Sequence, residues 1–190
     1  MRVKDETKQQ ALFEATVKVV NEIGFASSSV AKIAKEAGIS PATIYIYHEN
    51  KEDLLVSTYI EIKKGMGRAL LQGFDTSMPI RDIFMMVWRN GFEHVSKHRA
   101  DFHFTEQFAN SPFIDLVDME EVNKYFETIY QVIQRGIDEK IIKDVSFEIL
   151  GVFMFYPMLI LSNKRHCSGF ALTDENIETA FNMAWDAIKL

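Results

Sequence analysis

Apolar residues recur along this chain at three- and four-residue spacing, the signature of amphipathic helices, and no useful length of strand-like alternation interrupts them. Leu12, Thr16, Val19 and Ile23 form one stripe, widened by Phe13, Val17 and Val20, and Gly24 is a natural stop. The pattern predicts short helices over 29–37 and 41–48, then a longer one from a cap at Asn50 toward Gln72. Further helices are expected over 79–98, 99–110, 119–139, 146–165 and 173–189. That is an all-α chain of about nine helices, with no repeat and no low-complexity linker.

Within this pattern the segment SSVAKIAKEAGISPATIYIYHENKEDLL stands out. Val30, Ile33, Ala34 and Ala37 give a short helix an apolar stripe, and Ser29 can cap it. Gly38 supplies the positive φ of a tight turn, and Ile39 plugs that turn into the core. Ser40 caps the next helix, and Pro41 occupies its first position, where a missing N–H costs nothing. A short helix, a glycine turn and a second capped helix make the bihelical unit that presents its second helix to the DNA major groove.

The run from Ala31 to Leu55, with AKIA, AGIS, TIY and NKEDLL, resembles the TetR family signature, as does an upstream helix ending in Ile23-Gly24-Phe25. The motif similarity covers roughly residues 8–55. The resemblance implies a DNA-binding domain over 1–50 and a ligand-sensing, dimerising domain over 51–190. It also implies DNA contacts at Pro41, Ala42, Thr43, Tyr45, Ile46 and Tyr47, with Lys51 holding a phosphate, and Ser29 can reach phosphate oxygens as well. Projected at 100° per residue, Ile44 and His48 face inward while Ala42 and Ile46 face outward. Ala42 and Ile46 cannot hydrogen-bond a base edge, but both can pack on a thymine methyl. The alternative for Tyr45 and Tyr47 is that they are core aromatics. His48 departs from the family, which carries phenylalanine or another apolar residue there; it is either a packed histidine or a pH switch.

Composition and charge qualify this picture. The chain has 190 residues and a net charge of −6, but the segment through Lys51 holds seven basic and six acidic residues, against 14 and 21 beyond it. A near-neutral head on an acidic body can bind DNA if its basic groups converge on the phosphates. The single cysteine, Cys167, excludes an intrachain disulfide and fits a reducing cytoplasm. The first 20 residues do not resemble a secretory signal, and the apolar run 149–161 is too short to span a bilayer, so no membrane partner is expected. No Gly-rich phosphate loop, nucleophile elbow, HExxH or paired CxxC argues for an enzyme, and no cofactor is called for.

The 15 phenylalanines and nine methionines lie mostly after residue 73. Such stripes are ordinarily core, but a surplus of adaptable side chains also suits a pocket for an apolar or aromatic ligand. The expected lining is Phe84, Trp88, Phe92, His103, Phe104, Gln107, Phe108, Phe126, Phe153 and Tyr156. His94 and His98, with His103 and Glu106 close behind, have metal-compatible spacing, yet ordinary surface or core histidines explain them more simply. Gly65 and Gly67, inside the helix that starts at Asn50, serve either bending or close packing. By resemblance the last two helices pair with their copies across a two-fold axis, with Gly151, Val152, Phe155, Ile177, Phe181, Ala184, Trp185 and Ile188 at the interface. The resulting expectation is a dimeric repressor on a palindromic operator, released by a small molecule. The alternatives are an activator or a small-molecule binder without DNA function.

Overall fold

The computed structural model describes residues 2–190. Its helices are α1 (Arg2–Ser27), α2 (Val30–Glu36), α3 (Pro41–Tyr47), α4 (Lys51–Leu70), α5 (Ile80–Lys97), α6 (Arg99–Ala109), α7 (Met119–Lys124), α8 (Glu127–Asp138), α9 (Phe147–Met154), α10 (Tyr156–Ser162) and α11 (Asp174–Ile188). A 3-10 turn, Pro112–Leu116, follows α6. No strand occurs among the described residues, and none of the described helices is long and apolar enough to cross a membrane.

Local chemistry explains most boundaries. Gly24, at φ 77°, interrupts α1. The Ser29 hydroxyl accepts from Lys32 N (3.3 Å), Ser40 from Thr43 N (3.2 Å), and Asn50 Oδ1 from Asp53 N (2.8 Å), satisfying N-terminal amides of α2, α3 and α4. Gly38 takes φ 67° between α2 and α3, a region costly for any residue with a Cβ. Two expected helices are divided. The segment 119–139 breaks near Tyr125 and Phe126, and 146–165 breaks at Phe155. Pro157 accounts for the second break, since it has no N–H to offer the Phe153 carbonyl one turn back.

The chain forms two compact units, and they do not divide at residue 50. One continues through Lys63 and takes in Arg99–Met119; the other comprises Lys64–His98 and Glu120–Leu190. The first unit packs Leu12, Ala15, Val19, Ile33, Ala34, Ile44 and Leu54 into one core. Its α6 is fastened to α1 by a ring cluster. Phe25 meets Phe104 and Phe108 edge-on (5.7 and 5.9 Å between centroids), and Tyr59 stacks on Phe108 at 4.5 Å. Gln107 Nε2 donates to Asn21 Oδ1, and Asn21 Nδ2 donates to the Ala100 carbonyl, each at 2.8 Å.

The second unit is built around α5, whose Phe84, Trp88 and Phe92 are buried among Met154, Met158, Phe181 and Trp185. Trp88 Nε1 donates to the Met154 carbonyl at 2.8 Å, the partner a buried indole N–H needs.

Candidate functional site

The short helix α3 buries Ile44 completely and exposes its neighbours, Tyr45 at 57% and Ile46 at 75%. Pro41 and Ala42 are also exposed, while Ser29, Thr43 and Tyr47 are half-buried. The Thr43 hydroxyl lies 2.9 Å from that of Ser40. A seven-residue helix anchored by one isoleucine thus displays a mixed apolar and hydroxylated face. Lys51 is more committed than its sequence suggested. Its Nζ donates to the carbonyls of Phe25 (2.7 Å) and Ser28 (2.9 Å), tying the start of α4 to the end of α1. These bonds use two of the ammonium's three N–H groups.

His48, the C-terminal cap of α3, is buried, and neither ring nitrogen makes a hydrogen bond. Nδ1 lies 3.4 Å from Asp53 Oδ2, outside aligned hydrogen-bond geometry, and the Glu49 amide already donates to that oxygen at 3.0 Å. The ring meets Phe13 edge-on. Burial lowers the imidazole pKa below its ordinary value, and the Asp53 carboxylate opposes the shift.

In the second unit the expected pocket residues separate. Phe84, Trp88 and Phe92 are solid core. Phe104, Phe108 and Gln107 belong to the first unit, where they hold α6 on α1, and half-buried His103 sits on that same helix. Phe126 does line a cavity, of about 190 Å³, together with Met66, Leu70, Ile129, Tyr130, Phe147, Phe155, Met158 and Leu159. Phe155, expected at the dimer interface, instead stacks on Phe84 beside this cavity. Phe153 and Tyr156, expected in the pocket, are 53% and 56% exposed. Phe155 falls on the same side of this segment as the buried Met154 and Met158, while Phe153 and Tyr156 face outward. The spacing of Phe126, Ile129 and Tyr130 at the start of α8 was the available signal for the lining of this cavity.

The expected interface residues also separate by burial. Phe181, Trp185 and Ile188 are buried in their own unit, with Ile177 packed against that core, because α11 docks its apolar stripe beside α5; Ala184, buried with them, also lines the groove beside Met183. What α11 leaves outside is Met183, 73% exposed, with Thr179 and Ala187. Together with Phe153, Pro157, Leu161 and Phe170 they line an open groove of about 460 Å³. Ile149, Val152 and Tyr156 extend the exposed apolar surface along α9 and α10, and a Cβ added at Gly151 would meet nothing. His94 and His98 stack on each other at 4.6 Å, and the described residues hold no cluster of three or more metal-ligating side chains.

The N-terminal profile of the tetR family of bacterial regulatory proteins matches residues 12–58, and a tetracyclin repressor-like C-terminal domain matches 79–189. A TetR family transcription regulator from Marinobacter aquaeolei VT8 superposes with a TM-score of 0.91 at 36% identity, covering 100% of this chain and 99% of that one. The chain belongs to the TetR family. This TetR regulator is also 23% identical, over the full length of both chains, to an HTH-type transcriptional regulator of Haemophilus influenzae. Similarity to the fatty acid metabolism regulator protein of Bacillus subtilis is 46% identity over 54 residues, 28% of each chain. Members of this family are DNA-binding transcription regulators, not enzymes, and the helix-turn-helix of α2 and α3 is the element that gives this protein that function.

Proposed function

We propose that this TetR protein is a repressor that binds a palindromic operator as a homodimer and leaves it when an apolar ligand enters the cavity beside α8. The observation that carries the DNA half is the face of α3, where Tyr45 and Ile46 stand exposed around a single buried anchor. Pro41, Ala42 and Ile46 lie along the base edges, with Ala42 and Ile46 against thymine methyls. Ser29, Thr43, Tyr45, Tyr47 and the remaining N–H of Lys51 reach phosphate oxygens. Pairing of two copies through Ile149, Val152, Phe153, Tyr156 and Met183 covers the exposed groove; half-sites read by the two copies of α3 then lie about 34–36 Å apart, one turn of DNA.

Selection from a random-sequence duplex pool by mobility shift should yield a two-fold symmetric site. Replacing one selected thymine per half-site by uracil should then weaken binding several-fold. Equal affinity for both duplexes would refute the methyl contacts, and no selected duplex at all would refute direct operator binding.

A further inference from the structure

The cavity proposed above as the ligand site has an unusual charge setting. None of its nine lining residues is charged; four are aromatic (Phe126, Tyr130, Phe147 and Phe155) and two are methionines. Phe147 alone of the nine is exposed, and Tyr130 meets it edge-on, centroids 4.4 Å apart, which puts the mouth on the side of this pair. Two exposed carboxylates flank this pair: Glu127 three residues before Tyr130 on α8, and Glu148 directly after Phe147 on α9. Their fields reach the phenol, adding to burial in raising the Tyr130 pKa, while its O–H donates to Asn123 Oδ1 at 3.2 Å.

Basic groups do not offset them along α4. Lys64 and Arg68 stand two residues either side of the lining residue Met66, about 200° around the helix from it.

A ligand here must leave any charge at the mouth, because the interior offers no polar partner. An anion there meets like charge and the electron-rich ring faces. A cation meets opposite charge and the same faces favourably. The volume, below the roughly 300–1,000 Å³ of drug-sized sites, suits a single ring or short chain. We infer that the cavity takes a compact hydrophobic monocation, an aryl or short alkyl group bearing a quaternary or protonated amine, in preference to a carboxylate of similar shape.

Calorimetric titration of the full chain with three probes tests this: benzyltrimethylammonium, its neutral isostere neopentylbenzene, and 3-phenylpropanoate. The cation should bind about tenfold more tightly than the carboxylate and several-fold more tightly than the isostere, the gap narrowing as salt rises. The Glu127→Gln, Glu148→Gln double variant should weaken the cation several-fold and leave neopentylbenzene within about twofold. Leu159→Trp and, independently, Met66→Trp fill the cavity and should abolish binding of all three. If the carboxylate or the isostere binds as tightly as the cation, the charge preference is wrong and the ligand cavity stands. If no probe binds, or binding survives both tryptophan variants, the cavity itself is not the ligand site and the preference falls with it.

Discussion

Alanine at Gly65 and alanine at Gly67, two residues apart on α4, should move stability in opposite directions. Both glycines sit inside the helix, where each costs ~1 kcal/mol relative to alanine. Around Gly65 an added Cβ meets nothing within 4 Å, so Gly65→Ala should recover most of that amount, raising Tm by about 2–4 °C for a chain of this size. At Gly67 the Cβ would stand 2.5 Å from the Tyr125 carbonyl oxygen and 3.2 Å from its carbon. The obstacle is backbone just past α7, so it cannot be relieved by a rotamer change, and overpacking of this kind costs about 1–3 kcal/mol. Less the propensity gain, Gly67→Ala should lie about 0–2 kcal/mol below the parent and about 1–3 kcal/mol below Gly65→Ala. Thermal unfolding followed by circular dichroism reads both. Equal stabilisation by the two substitutions would refute the close-packing role of Gly67. Gly65→Ala alone is then the clean probe of whether softness in α4 matters for ligand-driven release from DNA, because it stiffens the helix without touching a neighbour.

Three further outcomes follow from the sites described. Burial depresses the His48 pKa in the folded state, so its contribution to stability is fully present above about pH 6.5 and is lost as pH falls through the folded value. His48→Phe should therefore be stabilising by about 1 kcal/mol at pH 7.5, by removing buried unbonded nitrogens, and by more at pH 5.5; a gain that shrinks on acidification would contradict this. Lys51→Ala should weaken operator binding, reduce its salt slope by about one, and also cost about 1–3 kcal/mol of stability through the lost bonds to Phe25 and Ser28; an unchanged Tm would show those bonds to be idle. Phe153→Glu with Met183→Glu should yield a folded monomer by equilibrium sedimentation, and a dimer of undiminished affinity would exclude this face as the interface.

The helix-turn-helix was legible because its determinants are local. Ser29, Gly38, Ser40, Pro41 and Asn50 act on amides and torsions within four residues of themselves, so one short window holds both cause and effect. The inward projection of Ile44 and His48 needed only the 100° rotation of a helix too short to bend. The division of the chain into units was not legible in this way. Phe104 and Phe108 form an ordinary apolar stripe on α6, and nothing within that stripe says that Phe25, near the end of α1, covers it.

The interface shows the same limit more sharply. Periodicity correctly groups Phe181, Ala184, Trp185 and Ile188 on one side of α11, but a stripe specifies that it will be covered, not by what. In this fold α5 covers it with Phe84 and Trp88, each in ring contact with α11, and the outward surface falls to the smaller flanking set of Ala187, Thr179 and Met183. Phe155 keeps its helical phase. At 100° per residue it falls on the side of the buried Leu150, Met154 and Met158, with Phe153 and Tyr156 on the other, so the missing amide of Pro157 interrupts the hydrogen bonding without reversing the faces. The consequence is functional: that phase places an aromatic ring from this segment beside the cavity while Phe153 and Tyr156 stay on the surface. Substituting Pro157 by alanine would restore the amide and favour one continuous helix, and because Phe155 already lies on the inner side of that helix, the stack on Phe84 should persist, read as a near-ultraviolet circular dichroism spectrum unchanged from the parent; a lost aromatic signal would show that the break itself positions the ring.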